Sequence, residues 1–552
     1  MHRILIFVML FYSCHCVLAQ QLMFQKKIGG PNWEYAYAIQ KTTDSGYVLG
    51  GTTSSFGAGG ASFDLYVVKL AKNGDTVWTR TYGGSCTRPE VLNDIYPTQD
   101  GGFVITGYTC CWTTGPNTTD VDAYIIRIKG NGDTLWTKHW GGLGGDDGYG
   151  IIQDNAGNIL VTGNESSFGS GMLDAWLTKL NSAGDTIWNK TYGGAQDDWG
   201  YGLLQTKDGG YAIGGYTQSF GAGGKDMYLV KTDVNGNLQW SKTYGGSSDD
   251  EAYGHCIQQT KDKGFILVGS TLSYGAGMED IFLVKTDSVG NLQWAKVYGG
   301  PKDDFGHAVQ QTKDGGYVIA GFTKSFGFGG GNCNNAFLLK TDSIGNIKWS
   351  HVYGGNGKAS TGSSSADGAY GLVIANDGGF VLTGLTNSWG ANANDEDMYV
   401  IKTDTAGNSN CISQKDTLFT ATTVATIVGT AATIVKGGGQ VANTGTIVKS
   451  GGIDSFICFT AAAIDTGHTN ISNTNLQMLR VQLFPNPANG SVFLAGARYA
   501  YYELIDINGR RLRYGTTLSA KEKIEINGLN KGMYFIKVRS QNESVFLKLL
   551  IE

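Results

Sequence analysis

YGGAQDDWGYGLLQTKDGGYAIGGYTQSFGAGGKDMYLVKTDVNGNLQW, from Tyr192 to Trp240, is the unit from which most of this chain is built. The residues that follow it, SKTYGG, begin the same pattern again. One tryptophan marks a single position of the pattern, at steps of 58, 52, 52, 54 and 55 residues: Trp78, Trp136, Trp188, Trp240, Trp294 and Trp349. A repeat of this length predicts a solenoid, a propeller or an array.

Each unit contains four short runs that are rich in Val, Ile, Leu, Tyr and Trp and are separated by Gly and Asp clusters. Aromatic and β-branched residues favour strands, and the Asp-Gly-Gly and Asn-Gly turns favour tight connections between them. No segment has a helical period. A four-stranded sheet with two apolar faces cannot bury them alone and must stack on its neighbours. Four strands per repeat, stacked radially, predict the blade of a β-propeller.

The number of blades follows from the turn before the second strand. This turn occurs seven times and ends at Tyr47, Phe103, Ile159, Tyr211, Phe265, Tyr317 and Phe380. The seventh unit lacks a fourth strand, whereas Leu22 to Gly30 reads as a fourth strand with no unit before it. We therefore predict an all-β chain with a seven-bladed β-propeller of four-stranded blades, in which the N-terminal strand closes the ring and removes the open edges.

The ends of the chain differ from the repeats. Residues 1–19 contain Arg3, a short apolar run and Val17-Leu18-Ala19, which predict a secretory signal peptide; acylation at Cys14 is the alternative. We expect the propeller to span 20–410. A Thr-, Val-, Ala- and Gly-rich segment at 411–478 predicts irregular β structure and a linker. Six alternating runs within 479–552 predict a small C-terminal β-sandwich.

Composition restricts the classes of partner. The chain has 84 glycines, only 7 prolines and a formal net charge of −5. The glycines serve turns, and no cluster of Lys and Arg is present that would neutralise phosphates, so nucleic acid is excluded as the main partner. No stretch after the signal peptide is apolar enough to span a membrane.

Seven cysteines remain after the signal peptide, which fits an exported protein. Cys86 and the Cys110-Cys111 pair fall in two loops on one face of the second blade, so we expect Cys86 to bond Cys110 or Cys111. Cys411 and Cys458 flank the segment after the propeller and are the second candidate pair. Cys256 falls within a first strand, which predicts a buried thiol.

The repeated acids are the candidate chemistry. One carboxylate precedes the first strand of each unit: Glu34, Glu90, Asp146, Asp198, Glu251, Asp304 and Asp367. If the first strand is innermost, these groups ring one mouth of the channel, where they would bind a hard cation such as calcium or a polyhydroxylated ligand. The alternative, which the repetition favours, is that each carboxylate caps a turn or bonds a neighbouring blade. A second acidic series, whose Asp64 precedes a third strand, reads as structural for the same reason.

Catalysis and nucleotide binding find little support. The histidines are scattered without metal-ligand spacing, and there is no GxSxG elbow. The SFGAGG loops lead into strands and lack a P-loop lysine. Paired acids such as Asp197-Asp198 would serve a glycosidase only if two were singled out and one were buried. Cys110-Cys111-Trp112 and the long loop 356–366 are unique to one unit each and are the candidates for a specific partner surface.

Four motifs near the C-terminus resemble those of a known family: Phe484-Pro485-Asn486-Pro487, Asp506-Ile507-Asn508-Gly509-Arg510, Leu529-Asn530-Lys531-Gly532-Met533-Tyr534 and Lys548-Leu549-Leu550. They resemble the C-terminal sorting domain of proteins exported by the type IX secretion system of Bacteroidetes. The resemblance implies recognition by that machinery, transfer across the outer membrane, and surface attachment or release. It assigns the sorting role to Pro485, Asn486, Pro487, Gly509, Gly532, Tyr534 and Lys548.

Together these features predict a secreted or cell-surface binding or adhesion module, with a glycan or a surface protein as its partner. The first alternative is a carbohydrate-active enzyme, a glycoside hydrolase or lyase, that uses carboxylates at the channel mouth. The second is a structural component of the cell envelope or of an extracellular matrix.

Overall fold

The structure is a computed structural model, and it describes residues 22–57, 62–85, 87–111, 121–328, 333–355, 367–388 and 396–409, the strands that follow, and 526–531. Every regular element among these residues is a β-strand. No helix with the length and apolarity needed to cross a bilayer occurs in the described part of the chain. The predicted signal peptide, the loop 356–366 and Trp112 lie outside the described residues.

The repeats form antiparallel sheets, which we number in chain order. The first strand of the chain is β1 (Leu22–Gly29). Sheets 1 to 3 contain β2 (Glu34–Lys41), β3 (Tyr47–Thr53), β4 (Asp64–Leu70) and β5 (Thr76–Gly83); β6 (Glu90–Pro97), β7 (Phe103–Thr109), β8 (Asp122–Ile128) and β9 (Thr134–Gly141); and β10 (Asp146–Gln153), β11 (Ile159–Glu165), β12 (Asp174–Leu180) and β13 (Thr186–Gly193).

The remaining repeats follow the same order. Sheets 4 to 6 contain β14 (Asp198–Gln205), β15 (Tyr211–Thr217), β16 (Asp226–Thr232) and β17 (Leu238–Gly245); β18 (Asp250–Glu251), β19 (Ile257–Gln259), β20 (Phe265–Thr271), β21 (Asp280–Thr286) and β22 (Leu292–Gly299); and β23 (Asp304–Gln311), β24 (Tyr317–Thr323), β25 (Asn335–Thr341) and β26 (Ile347–Tyr353). Sheet 7 contains β27 (Asp367–Ile374), β28 (Phe380–Thr386), β29 (Asp397–Lys402) and β1.

The predicted four-stranded antiparallel unit is confirmed, and its turns show why the sequence folds this way. In sheet 4, Gly209 and Gly236 adopt φ values of 87° and 74°, which a residue with a Cβ adopts only with strain. The N-terminal strand also pairs as predicted: β1 is antiparallel to β29, with Phe24 opposite Lys402 and Ile28 opposite Met398. The first strand of the chain is therefore the fourth strand of the last repeat.

Seven hydrophobic clusters lie between consecutive sheets. Six join sheets that are neighbours in the chain, and the seventh joins sheet 7 to sheet 1 through residues such as Phe24 and Tyr66. A further contact recurs at each of these interfaces. The aromatic side chain of a fourth strand covers the turn glycine of the next sheet, as Trp240 covers Gly290, and Phe24 of β1 covers Gly74 in the same way.

The segment that was predicted to be irregular is regular in its pairing. It contains β30 (Ser413–Asp416), β31 (Thr420–Thr423), β32 (Ile427–Thr430), β33 (Ile434–Lys436), β34 (Gln440–Asn443), β35 (Ile447–Lys449) and β36 (Ile453–Ala461). These strands add to the free edges of sheets 6, 5, 4, 3, 2, 1 and 7 in that order. We call them the peripheral segment. This pairing has a physical reason, because each open fourth strand offers unpaired N–H and C=O groups that a short extended segment can satisfy.

The chain divides into two compact units, Met1–Ala463 and Ile464–Glu552. The first, which we call the seven-sheet unit, therefore includes the peripheral segment. The second contains β37 (Gln482–Phe484), β38 (Ser491–Ala495), β39 (Tyr501–Asp506), β40 (Arg511–Thr516), β41 (Lys521–Glu525), β42 (Gly532–Arg539) and β43 (Ser544–Ile551). They form a three-stranded and a four-stranded sheet that share one hydrophobic cluster, including Ile524 and Ile536. Sequence analysis missed β40, which alternates arginine with apolar residues.

Candidate functional site

The first strand of each repeat alternates between buried and half-buried positions. In β14, Asp198 and Gly200 are buried, whereas Trp199 and Tyr201 are half-buried. Successive side chains of a strand point to opposite faces, so the first and third positions enter the packing between sheets. The second and fourth positions point to the other face. Six of the seven carboxylates predicted to line a channel mouth occupy first positions, and Glu251 occupies a second position. The residues that line the cavity come mainly from second and fourth positions.

A cavity of about 340 Å³ is lined by residues from all seven sheets. We call it the central cavity, and its lining consists of Tyr37, Val91, Asn93, Tyr108, Tyr149, Tyr201, Gly254, His255, His307 and Tyr370. No lysine or arginine belongs to this set. The central cavity is therefore predominantly aromatic, with a few polar groups that converge on it.

Neighbouring aromatic side chains form a nearly continuous ring around the central cavity. Ring centroids are 4.6 Å apart for Tyr149 and Tyr201, 5.3 Å for Tyr201 and Tyr253, 6.4 Å for Tyr253 and His307, 4.9 Å for His307 and Tyr370, and 5.7 Å for Tyr370 and Tyr37. Sheet 2 interrupts the ring, because Asn93 stands where the other first strands carry Tyr or His. The ring therefore has one polar gap.

Sheet 5 departs from the repeat by an insertion. Asp250 and Thr260 are ten residues apart, whereas the equivalent Asp198 and Thr206 are eight apart. The first strand of sheet 5 is consequently split into β18 and β19, and Gly254 and His255 line the central cavity. The 54-residue step between Trp240 and Trp294 was the signal that could have revealed this insertion.

Sheet 2 brings a buried acid to the same region. Asp94 occupies a position that holds Ala or Gly in sheets 1, 3, 4, 6 and 7. Its carboxylate accepts hydrogen bonds from the backbone amides of Ile95 at 2.8 Å and Ile151 at 3.0 Å. Nε2 of His255 lies 3.8 Å from Oδ1 of Asp94, and burial raises the pKa of this carboxyl. Sheets 2 and 5, which both depart from the repeat, thus contact each other beside the central cavity through Asp94 and His255.

Further carboxylates surround the aromatic ring. Asp147 occupies a second position of β10, and burial raises its pKa to about 7. Glu251 occupies the same position in sheet 5 and forms a 2.7 Å salt bridge with Lys225. The Lys225 ammonium also lies 4.8 Å from the ring centroid of Tyr216, which neighbours Tyr201 and Tyr253. This face of the unit is therefore rich in tyrosine and carboxylate.

The predicted carboxylate ring does not assemble into one site. Glu34, Glu90, Asp146, Asp198, Asp304 and Asp367 are buried at first positions, and Asp250 holds the equivalent place in sheet 5 instead of Glu251. Each of these seven accepts a hydrogen bond from a glycine amide before its strand, as Asp198 does from Gly194 at 2.7 Å. Among the described residues, no group of three or more His, Cys, Asp or Glu could hold a metal ion. The hydrogen bonds favour the turn-closing alternative, and cation binding stays a prediction.

The second acidic series lies next to the first, across each interface between sheets. Only glycine fits between the two: a Cβ on Gly245 would lie 2.0 Å from Oδ1 of Asp226 and 2.8 Å from Oδ2 of Asp250. Burial raises the pKa of Asp226 to about 6, and the charge of Asp250 adds to this rise. A buried carboxyl beside a second one holds its proton more tightly than an exposed carboxyl does.

Of the two cysteines predicted as alternatives, Cys110 and Cys111, the second is the disulfide-bonded residue. The alternation of side chains after β7 explains the difference, because Cys110 turns inward and is only 8% exposed. Cys256 is a buried free thiol, as predicted. Cys86 and Cys411 lie outside the described residues, and the backbone of Cys458 lies in β36.

The sorting motifs are described in part. Pro485, Asn486, Pro487 and Gly509 lie outside the described residues. Gly532 begins β42, and the hydroxyl of Tyr534 donates a 2.9 Å hydrogen bond to the carbonyl oxygen of Asn530. Lys548 lies in β43, opposite Phe535 of β42. The last motifs therefore lie on a β-hairpin.

Comparison with solved structures and curated proteins gives distant likenesses. PorZ, a surface component of the type IX secretion system of Porphyromonas gingivalis, shares 12% identity and a TM-score of 0.36, covering 95% of this chain and 60% of that one. The extracellular domain of the putative BT4673 hybrid two-component system of B. thetaiotaomicron shares 11% identity and a TM-score of 0.36. The match covers 97% of this chain and 59% of that one. The regulatory protein FlaEY of Caulobacter vibrioides is 22% identical over 237 residues, which span 38% of this chain and 24% of that protein.

The family comparison is specific for the C-terminus. Residues 482–552 match the secretion system C-terminal sorting domain. This region holds all seven strands of the second compact unit. The domain directs its carrier to the type IX secretion machinery, so the protein is extracellular or exposed on the cell surface. The chain thus carries a secretion system C-terminal sorting domain, joined to a seven-sheet unit that is delivered outside the cell.

Proposed function

We propose that the exported part of this protein is a closed seven-bladed β-propeller that acts as a binding module, with the central cavity as its ligand site. One observation carries the proposal: side chains from all seven sheets line a single aromatic cavity. Its volume of about 340 Å³ falls within the range of small-molecule sites, which are mostly apolar with a few convergent polar groups. A small molecule or the end of a longer glycan or peptide would fit.

Ring closure is supported by three contacts of the first strand. β1 pairs with β29, Phe24 joins the cluster between sheets 7 and 1, and its ring covers Gly74 of sheet 1. The peripheral segment then adds one strand to every sheet and ends on β1 itself. A closed ring with edges covered in this way suits a rigid scaffold that must persist outside the cell.

Two polar side chains of the central cavity, those of Asn93 and His255, come from the two irregular sheets. Asn93 lies at the gap in the aromatic ring, and His255 lies on the inserted turn of sheet 5. Repeated residues build the scaffold, whereas residues that break the repeat are free to serve one ligand. Asn93, His255 and the buried Asp94 are therefore the residues that we expect to determine specificity.

Filling the central cavity tests the proposal. We expect Asn93→Trp to place an indole at the gap of the ring and to abolish ligand-induced stabilisation, while the unliganded melt stays close to that of the wild type. A library of glycans, amines and peptides would be screened by thermal shift on both proteins. At a ligand concentration of about 100 Kd, binding contributes about 2.7 kcal/mol of stability. Hits that stabilise Asn93→Trp as well as the wild type would move the site elsewhere.

Calcium is the cofactor that the carboxylate ring would take if it bound one. Since each first-position acid already accepts a backbone amide, we expect the melting temperature to stay unchanged when calcium replaces EDTA. Magnesium at equal ionic strength is the control. A calcium-specific rise of several degrees would contradict the turn-closing role of these acids.

The enzyme alternative rests on Asp147 and Glu251, which occupy second positions on sheets 3 and 5. Burial raises the pKa of both carboxyls, as a general acid requires. A glycoside hydrolase or lyase would be favoured if the wild type releases a product from a bound glycan and Asp147→Asn or Glu251→Gln does not. Binding without product favours the binding module, and a structural role in the envelope or matrix predicts neither.

A further inference from the structure

We propose that the central cavity selects an organic cation, an ammonium or quaternary ammonium group, over neutral and anionic ligands. This inference rests on the proposed function, because it names the class of ligand for the same site. Two independent features carry it: the aromatic ring and the sign of the charges around it. A positively charged group is attracted to the face of an aromatic ring, and several such rings around one cavity form a cage for quaternary ammonium.

The aromatic feature is a set of tyrosines held close together. Tyr149 and Tyr201 are 4.6 Å apart with planes tilted by 56°, and Tyr370 and Tyr37 are 5.7 Å apart with a tilt of 57°. Tilted neighbours present both faces and edges to the cavity, so a cation at its centre would meet several ring faces at once. Tyr108 of sheet 2 lines the wall beside the gap.

The charge feature is an excess of carboxylates. Burial and then the charge of Asp147 raise the pKa of Tyr108 to about 12, and burial and then Glu396 raise that of Tyr370 to about 12. Asp147 also lies on the same face of its strand as Tyr149, since the two are the second and fourth residues of β10. Among the described residues, neither Asp147 nor Glu396 forms a salt bridge. A cation that enters the central cavity would favour the ionised form of Asp147, whose pKa burial raises to about 7.

Behind the lining lies a third carboxyl group, that of Asp94, whose pKa burial raises. Its carboxylate accepts two backbone amides and lies 3.8 Å from His255, which lines the central cavity. The lining itself has no lysine or arginine to compensate these acids or to attract an anion. The ionised carboxylates near the central cavity would thus repel an anionic ligand such as a phosphate.

The same cluster of rings already binds one ammonium group from within the chain. Nζ of Lys225 lies 4.8 Å from the ring centroid of Tyr216 and bonds Glu251 at 2.7 Å. Tyr216 is 6.2 Å from Tyr201, a residue of the cavity ring. The combination of tyrosine face and carboxylate that would recognise a ligand cation is therefore present beside the central cavity in an occupied form.

A matched pair of small probes tests the inference on the intact mature chain. Choline carries a quaternary ammonium, and 3,3-dimethylbutan-1-ol has the same shape without the charge. By titration calorimetry we expect choline to bind at least about tenfold more tightly than the neutral isostere, because cation–π and Coulomb attraction act on the cation alone. Equal binding of the two probes, or tighter binding of the neutral one, would overturn the inference.

Variants separate the contribution of rings from that of charges. Tyr149→Phe retains the ring and is expected to keep choline affinity within about threefold, whereas Tyr149→Leu is expected to lose about tenfold. Asp147→Asn removes one negative charge and is expected to weaken choline but not the neutral isostere. The control is Asp233→Asn, the same substitution in an exposed turn of sheet 4. Equal losses in Asp147→Asn and Asp233→Asn would contradict a local charge effect.

The outcomes also separate this inference from the proposed function. If neither probe binds but a neutral glycan binds the wild type and not Asn93→Trp, the binding module stands and the cation selectivity falls. If choline binds Asn93→Trp and the wild type equally, both the site and the selectivity are wrong. Choline binding that Asn93→Trp abolishes and Asp147→Asn weakens supports both.

Discussion

Phe24→Ala is expected to lower the free energy of unfolding of the seven-sheet unit by about 3–5 kcal/mol, and deletion of Gln20 to Ile28 to lower it further. Phe24 is fully buried, packs in the cluster between sheets 7 and 1, and covers Gly74. Its loss leaves a cavity at the one interface that joins the two ends of the repeat array. If β1 closes the ring as proposed, truncation there weakens the whole unit, because a closed ring couples each sheet to both neighbours.

Unfolding by denaturant would measure this change in the free energy of unfolding, and calorimetry would measure the change in melting temperature. Val77→Ala is the matched control, since Val77 also lies in a fourth strand but is 57% exposed. We expect the control to change stability by no more than about 0.5 kcal/mol. An unchanged melt after deletion of Gln20 to Ile28 would show that β1 does not close the ring.

Stability of the seven-sheet unit is expected to fall as the pH rises from about 5 to about 8. Burial is the main cause that raises the pKa of Asp226 and Asp280 to about 6 and that of Glu90 to about 7. A folded pKa above the unfolded value means that the folded state binds more protons. The stabilisation is therefore complete below the unfolded pKa of about 4 and is lost as the pH passes the folded values.

Carboxylates in the turns limit stability at low pH, in the opposite direction to the buried carboxyls. Asp44 forms a salt bridge with Lys69, and Asp100 forms one with Arg127; together with hydrogen bonds these pairs lower the pKa of each carboxyl to about 2, although burial opposes the shift. A lowered pKa contributes stability above pH 4 that disappears as the pH falls towards 2. Maximum stability is therefore expected at a mildly acidic pH, between the two groups of carboxyls.

Asp226→Asn isolates one buried pair. Oδ1 of Asp226 is buried without a hydrogen-bond partner among the described residues, and an amide there would remove one of two neighbouring buried charges. Sheet 6 already carries Asn335 at the equivalent position. We expect Asp226→Asn to stabilise the unit at pH 8 by about 1–3 kcal/mol and to flatten the dependence on pH.

Melting curves at pH 5, 6.5 and 8 would measure this change. Asp233→Asn is the control, because it removes the same charge from an exposed turn where the side chain caps Asn235 and Asn237. Destabilisation by Asp226→Asn at pH 8, or a wild-type melting temperature that rises between pH 5 and pH 8, would contradict the raised pKa of these buried carboxyls.

Local features predicted most of the repeat architecture. The Trp at one position and the glycines of the Asp-Gly-Gly and Asn-Gly turns act within a few residues, so they indicate strands and turns without knowledge of the fold. Leu22 to Gly30 reads as a strand without a unit, and the seventh unit lacks a fourth strand, so the sequence predicted that the two pair. The pairing of β1 with β29 confirms this prediction. The sorting domain was likewise readable from short motifs, and the match at 482–552 bears it out.

Tertiary contacts decided what sequence periodicity could not. Whether Asp198 or Trp199 faces the cavity depends on which side of the strand meets the next sheet, and a period of two is the same for both choices. The insertion at His255 and the acid at Asp94 lie 161 residues apart and meet only because their sheets line one cavity. The strands of the peripheral segment pair with the open edges of strands that are distant in sequence, and those edges determine which sheet each strand joins. Repetition along the chain thus determined the four-stranded sheets, whereas contacts between residues far apart in sequence determined the cavity.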